Sequence, residues 1–220
     1  MELKSTAKIN IGLHVYNKRQ DGFHNIATIF QEINFFDIIN IREAKNFSCK
    51  TSTGQIKQED NFSTKAFNLI KEAFPHIPNV DIDIQKNIPT NAGLGGGSSN
   101  GTSVLRGLNT FFDLSLNNDE LSKFASKVSS DSTFFVNGGL QLGTKKGEEL
   151  IPILETEIPK HILLVHPNIK ISTKDAFKQL KNHLLNENMD INLSHLLKEL
   201  KNNNFDSKLF KNDFEMYVFE

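Results

Sequence analysis

The chain has 220 residues, 38% hydrophobic and 23% charged, enough for one large or two small domains with an ordinary core. A formal net charge of −1 excludes a global attraction to nucleic acid or anionic lipid. The single cysteine, Cys49, excludes a disulfide framework and a cysteine-based zinc site, and the seven histidines show no H-E-x-x-H or similar ligand spacing.

The opening MELKSTAKINIGLHVY carries lysines at 4 and 8 and no long apolar run, so it does not read as a signal peptide. No stretch approaches about 20 consecutive apolar residues, so no membrane partner is expected and the cytoplasm is the expected compartment. Residues 7–16 alternate as a half-buried strand, with Ile9, Ile11, Leu13 and Val15 on one face and Lys8, Asn10, Gly12 and His14 on the other. RQDGFHN then gives a turn at Asp21-Gly22, and IATIFQEINFFDIINIRE predicts one or two further strands. STGQIKQED is a polar turn. NFSTKAFNLIKEAF has helical spacing, and Val80, Ile82 and Ile84 alternate as a short strand.

A glycine-rich stretch follows, and then Val104, Leu105, Leu108, Phe111 and Phe112 mark an amphipathic helix. DELSKFASKVSSDSTFFV predicts a helix ending in a Ser-rich turn, and NGGLQLGTKKGEELIPI predicts a hairpin. Near 155–159 the pattern changes. HILLVHP reads as a buried strand, STKDAFKQLKNHLL as a capped helix and NLSHLLKEL as another. Strands and helices mix without a steady βαβ rhythm, so the expected class is α+β, divided into domains 1–153 and 154–220.

Four glycines fall within residues 93–97 and run into a helix near Ser98. A Walker A loop fails, because no Lys follows the glycines, and the dinucleotide fingerprint fails, because Ser98 stands at its third glycine. The physical arrangement still suits an anion. The first helical turn has unpaired N–H groups and the positive dipole end, and glycines let a phosphate approach the backbone. A flexible loop with an ordinary Ser cap is the alternative. Lys8 and Asn10 share the polar face of the first strand, where most lysines are simply solvated. His24 reads equally as a surface turn residue, and Asp131 in SSDSTFF as a capping Asp.

IPTNAGLGGGSSN resembles the second signature of the GHMP small-molecule kinases, a family that includes galactokinase, homoserine kinase and mevalonate kinase. AKINIGLHVYNKRQDGFHNIATIF, the GLGGGSSN block, SSDSTFF and NDFE occur in the order of the branch acting on a cytidyl-bearing alcohol in the non-mevalonate isoprenoid pathway. The resemblance runs over almost the whole chain. It implies ATP-dependent phosphorylation of a 2-hydroxyl, with Mg²⁺ and a small-molecule substrate carrying a cytidine diphosphate group, in a cleft between two domains. The implied architecture is a ribosomal protein S5 domain 2-like N-terminal domain and an incomplete ferredoxin-like C-terminal domain. The resemblance places the catalytic pair on Lys8 and Asp131, the Lys holding the Asp ionised and the Asp taking up the hydroxyl proton. Substrate contacts fall on Asn10, Phe23 and His24, with Phe177 as a second stacking aromatic. ATP contacts fall on Asn61, Lys86, Pro89, Gly93, Leu94, Gly95, Gly96, Gly97, Ser98, Ser99 and Asn100. No metal ligand and no oligomeric state are assigned.

Three departures from the family pattern stand out. Ser129 and Thr133 replace the usual Gly and Pro around Asp131. Gly101 stands where Ala is usual, lowering helix propensity by about 0.5–1 kcal/mol and leaving room for closer phosphate approach. The third, Gly-Ser-Gly signature of the family is absent, so a fragment of a longer protein is expected. A degenerate nucleotide-binding relative and a kinase for homoserine or a mevalonate derivative are the alternatives.

Overall fold

A computed structural model describes residues 1–54, 56–154, 161–167, 180, 189–202, 204 and 210–215. The chain forms two compact units that interleave in sequence. Unit 1 comprises Met1–Ile9 and Glu32–Gly138, and unit 2 comprises Asn10–Gln31 and Gly139–Glu220. Two long strands, β1 (Glu2–Lys18) and β2 (His24–Ala44), pair with each other and contribute to both units. The segment 1–153 therefore supplies all of unit 1 and part of unit 2.

In unit 1 the second half of β2 pairs antiparallel with β4 (Asn79–Gln85), from Ile38 opposite Gln85 to Ala44 opposite Asn79. β3 (Ser48–Thr51) pairs parallel with β4. Period-2 patterning decides the faces. Ile39, Ile41, Val80, Ile82 and Ile84 are buried, whereas Asp81 and Asp83 turn outward to ion-pair with exposed Arg42. Helices cover the apolar face. These are α1 (Phe62–Ala73), α2 (Gly96–Phe111), α3 (Asn118–Val128) and the short α4 (Phe134–Asn137). Ala66, Phe67 and Ile70 of α1, Val104, Leu105 and Leu108 of α2, and Leu121, Ala125 and Val128 of α3 join the strand residues in one core. α2 lies close against the sheet, because a Cβ on Gly107 would meet Leu3 Cδ1 at 2.5 Å and Ile41 Cδ1 at 3.0 Å. Asn61 caps α1 by accepting from the Ser63 N–H, and Asn117 and Glu120 form a reciprocal capping box on α3.

In unit 2 the first half of β2 pairs antiparallel with β5 (Leu140–Thr144), which pairs with β6 (Glu149–Pro152). α5 (Met189–Lys201) buries Leu196 and Leu200 in a cluster with Ile29 and Leu142. The NDFE segment docks on β1: the Asp213 N–H donates to Leu13 O at 2.9 Å, and the Val15 N–H donates to Asp213 Oδ2 at 2.7 Å.

The α+β class expected from the pattern is the one observed. One element differs. Residues 161–167 are no strand and are exposed, Leu163 at 90% and Val165 at 76%. An apolar run becomes a buried strand only where another strand pairs with it, and among the described residues none does. The helix expected at 172–185 lies outside the described residues except for buried Leu180. No helix among the described residues is long and apolar enough to cross a membrane.

Candidate active site

The glycine loop connects β4 to α2. Gly93 and Gly95 have φ of +72° and +68°, in the left-handed region that favours glycine, and Gly95 is the N-cap of α2. The helix thus begins at Gly96, two residues before Ser98. The Ser99 N–H bonds back to Gly95 O at 2.8 Å, so the N–H groups of Gly96, Gly97 and Ser98 precede the first helical hydrogen bond. Gly93 and Gly97 are exposed, which opens the backbone to an incoming anion.

β1 is fastened to this loop at two levels. The Lys8 N–H donates to Leu94 O at 3.0 Å. Three residues earlier in the strand, the Ser5 hydroxyl lies 2.8 Å from Ser99 Oγ and 2.9 Å from Asn100 Oδ1. Ser98, Ser99 and Asn100 are all buried, so their side chains hold β1 and the neighbouring turn while their backbone forms the helix entry.

Lys8 does not sit on a solvated face. It is 6% exposed, and its Nζ lies 3.7 Å from Asp131 Oδ2. Asp131 is carried on the 3-10 turn Ser130–Thr133, with 39% of its side chain exposed. A Cβ on Gly95 would meet Phe135 Cζ at 2.8 Å and Lys8 Cγ at 3.1 Å, so only glycine lets the loop pass between them. Ser129 Oγ is 2.8 Å from Ser98 Oγ and 2.6 Å from Ser132 Oγ, and Thr102 Oγ1 donates to Ser132 O at 2.8 Å. These hydroxyls bind the Asp131 turn to the first turns of α2.

The other expected ATP-site residues surround the same loop. Pro89 is half-buried ahead of it, and Leu94 is buried within it. Asn61 is buried as the α1 cap, and the Lys86 side chain, 4% exposed, ion-pairs with Asp37. Phe62, 37% exposed, lies 3.4 Å from the Cβ position of Gly97. Phe62, Ser5 and Asp37 had no motif to draw notice to them. The one local signal was an aromatic, Phe62, directly after the Asn61 that opens a helical pattern.

The expected substrate residues lie in unit 2. Asn10 Nδ2 donates to Thr28 Oγ1 at 2.8 Å. Phe23 is 56% exposed at the tip of the Asp-Gly turn, with Lys146 Nζ 4.9 Å from its ring centroid. His24 is 7% exposed at the start of β2, so it is no surface turn residue. Asp21 shapes this turn by accepting from the Phe23 N–H and from Arg19. Desolvation pushes its carboxyl up, but the Phe23 N–H, the Arg19 guanidinium and Lys146 outweigh that, leaving it below the usual carboxylate value. Phe177 lies outside the described residues.

Residues 61–140 match the family described as GHMP kinases N terminal domain, and together with relatives matched over most of the chain this sets the class of the protein as a GHMP kinase. A 4-diphosphocytidyl-2-C-methyl-D-erythritol kinase of Sulfurihydrogenibium sp. is 39% identical over 87% of this chain and 69% of its own length. One from Prochlorococcus marinus is 36% identical over 99% of this chain and 74% of its own. The chain belongs to the 4-diphosphocytidyl-2-C-methyl-D-erythritol kinase family. The fold agrees. A crystal structure of 4-(cytidine 5'-diphospho)-2C-methyl-D-erythritol kinase superposes with a TM-score of 0.78 at 23% identity, covering 100% of this chain and 77% of that one.

Proposed function

We propose that this chain transfers the γ-phosphoryl group of ATP to the 2-hydroxyl of 4-diphosphocytidyl-2-C-methyl-D-erythritol, in the non-mevalonate route to isoprenoid precursors. The observation that carries the reading is the Lys8–Asp131 pair, 3.7 Å apart, on the strand and turn that are tied to the glycine loop. Phosphoryl transfer needs in-line positioning and neutralisation of charge, with little covalent work by the protein. The N–H groups opening α2 meet the phosphate oxygens. Asp131 accepts the proton of the 2-hydroxyl as that oxygen bonds to the γ-phosphorus and the bond to the β-phosphate oxygen breaks. Lys8 orients Asp131 and offsets the negative charge gathering between acceptor and phosphate.

Among the described residues no three His, Cys, Asp or Glu side chains form a metal cage. Mg²⁺ is commonly carried on substrate phosphates with one or two protein ligands, so ATP itself would bring it. When bound it would neutralise charge on the phosphate oxygens. Phe23 offers an exposed ring face for the cytosine, and His24 and Asn10 offer polar groups for the cytidyl and erythritol parts.

ADP release is the test, with the cytidyl alcohol, mevalonate and homoserine compared as acceptors. Turnover with the cytidyl alcohol alone is expected, and Asp131→Asn should lower kcat by about 10²–10⁴-fold with both KM values little changed. Full activity in that variant would falsify the role given to Asp131. Preference for either simple alcohol would overturn the substrate assignment.

A further inference from the structure

One buried ion pair of unit 1 has no part in the proton and phosphoryl movements above. Asp37, in β2, is fully buried, and the side chain of Lys86, one residue beyond β4, is 4% exposed. The Lys86 ammonium donates to Asp37 Oδ2. The other oxygen, Oδ1, accepts from the Asn87 N–H at 2.7 Å and the Ile88 N–H at 2.8 Å. Asn87 Nδ2 donates to Phe36 O at 2.8 Å. One carboxylate therefore holds three successive residues of the segment that leads into the glycine loop.

That segment sets the first residue of α2. A Cβ on Gly96 would lie 2.8 Å from Ile88 Cγ2 and 3.3 Å from Lys86 Nζ. A buried ammonium thus stands beside the positive end of a helix, where fixed charge of like sign repels it. Stability alone is a weak reason for such a pair, since burying two charges costs desolvation that a well-packed apolar pair avoids. The arrangement is coherent as a preformed anion seat: the carboxylate holds the ammonium in place, and the helix entry and the ammonium then act together.

We propose that Asp37 is a positioning residue for the nucleotide, fixing Lys86 and residues 86–88 so that the α2 entry is preorganised for it. This rests on the reading of the glycine loop as the ATP seat. Asp37 acts on nucleotide affinity and leaves the transfer step, carried by Lys8 and Asp131, to proceed once ATP is bound.

The test is titration of the chain with a fluorescent N-methylanthraniloyl ADP, alongside thermal unfolding without ligand and steady-state kinetics. The variants are Asp37→Asn, Lys86→Met, Asp37→Glu and the double Asp37→Asn/Lys86→Met. Asp37→Asn and Lys86→Met should each weaken binding about tenfold or more, and Asp37→Asn should keep kcat at saturating ATP within about threefold of the parent. Asp37→Glu should recover part of the affinity. The double variant should bind no worse than the weaker single one, because both changes damage one seat. It also leaves no uncompensated buried charge, so it decides the matter if Asp37→Asn fails to fold. A lowered melting temperature with affinity within about twofold of the parent would make the pair merely structural and overturn the proposal. A parent chain that binds no ADP analogue would overturn the nucleotide reading of the loop as well.

Discussion

Ser129 stands where the family pattern has glycine, and the structure gives its hydroxyl a use. It touches both Ser98 Oγ and Ser132 Oγ, bridging the first turn of α2 to the turn that carries Asp131. Replacing it with alanine removes no charge and leaves Lys8 and Asp131 in the chain, so the effect should be one of alignment. Ser129→Ala should lower kcat about tenfold through a slackened Asp131, while stability falls by about 1 kcal/mol for the lost hydrogen bonds. Steady-state kinetics beside a urea titration would check it, and a KM effect for ATP without loss of kcat would show that the bridge serves the nucleotide instead. At this scale the glycine spacing marked the loop, and the family resemblance, not the residues' own setting, singled out Lys8 and Asp131, which the structure brings to 3.7 Å of each other. The sequence was silent on supports. Ser5 meets partners 94 and 95 residues away, and Asp37 meets Lys86 across 49. Neither separation leaves any local periodicity, and both residues look like ordinary polar strand positions until the fold closes.

The element scale explains Gly101 differently from the resemblance. Its Cβ direction does not open toward phosphate. It meets Val128 Cγ1 at 2.8 Å, Phe62 O at 3.1 Å and Phe62 Cβ at 3.2 Å, where α1 and α3 crowd α2. An alanine gains about 0.5–1 kcal/mol of helix propensity, but overpacking a close helix contact costs about 1–3 kcal/mol, so packing wins. Gly101→Ala should therefore lower the urea midpoint, by about 1 kcal/mol in free energy, although alanine is the better helix former. A rise in the midpoint would mean that α1 and α3 give way at no cost. The same scale shows why elements were easier to read than their ends. The period of α2 is plain in Val104, Leu105 and Leu108, yet its start at Gly96 depends on the left-handed Gly95, whose φ no composition rule supplies. The apolar run at 161–167 failed for a different reason: strand formation is decided by a partner, and hydropathy carries no record of one.

At the scale of the whole molecule, each unit carries apolar clusters of its own among the described residues. The main core of unit 1 contains the chain's single thiol, Cys49, which makes that thiol a reporter for unit 1 alone. It is 4% exposed among Ile82, Phe67 and their neighbours. Burial, with Asp83 and Asp81 adding to it and the nearby Thr64 hydroxyl opposing it, pushes the thiol from its ordinary 9.0 up to about 11. The sign of the linkage follows. Between those two values the unfolded chain has lost the proton that the folded chain keeps, so unfolding releases a proton and stability falls as pH rises. The contribution is intact below the unfolded value and is lost, to the extent of roughly 2–3 kcal/mol, as pH climbs through the folded one. Cys49→Ala should remove that slope while other groups titrate as before, so the difference between parent and variant isolates it. At pH 8 iodoacetamide should label the thiol only as unit 1 opens, and ADP, if it binds the loop at the head of α2, should slow the labelling in proportion to its occupancy. Labelling as fast as in denatured chain would show that the core around Cys49 opens freely.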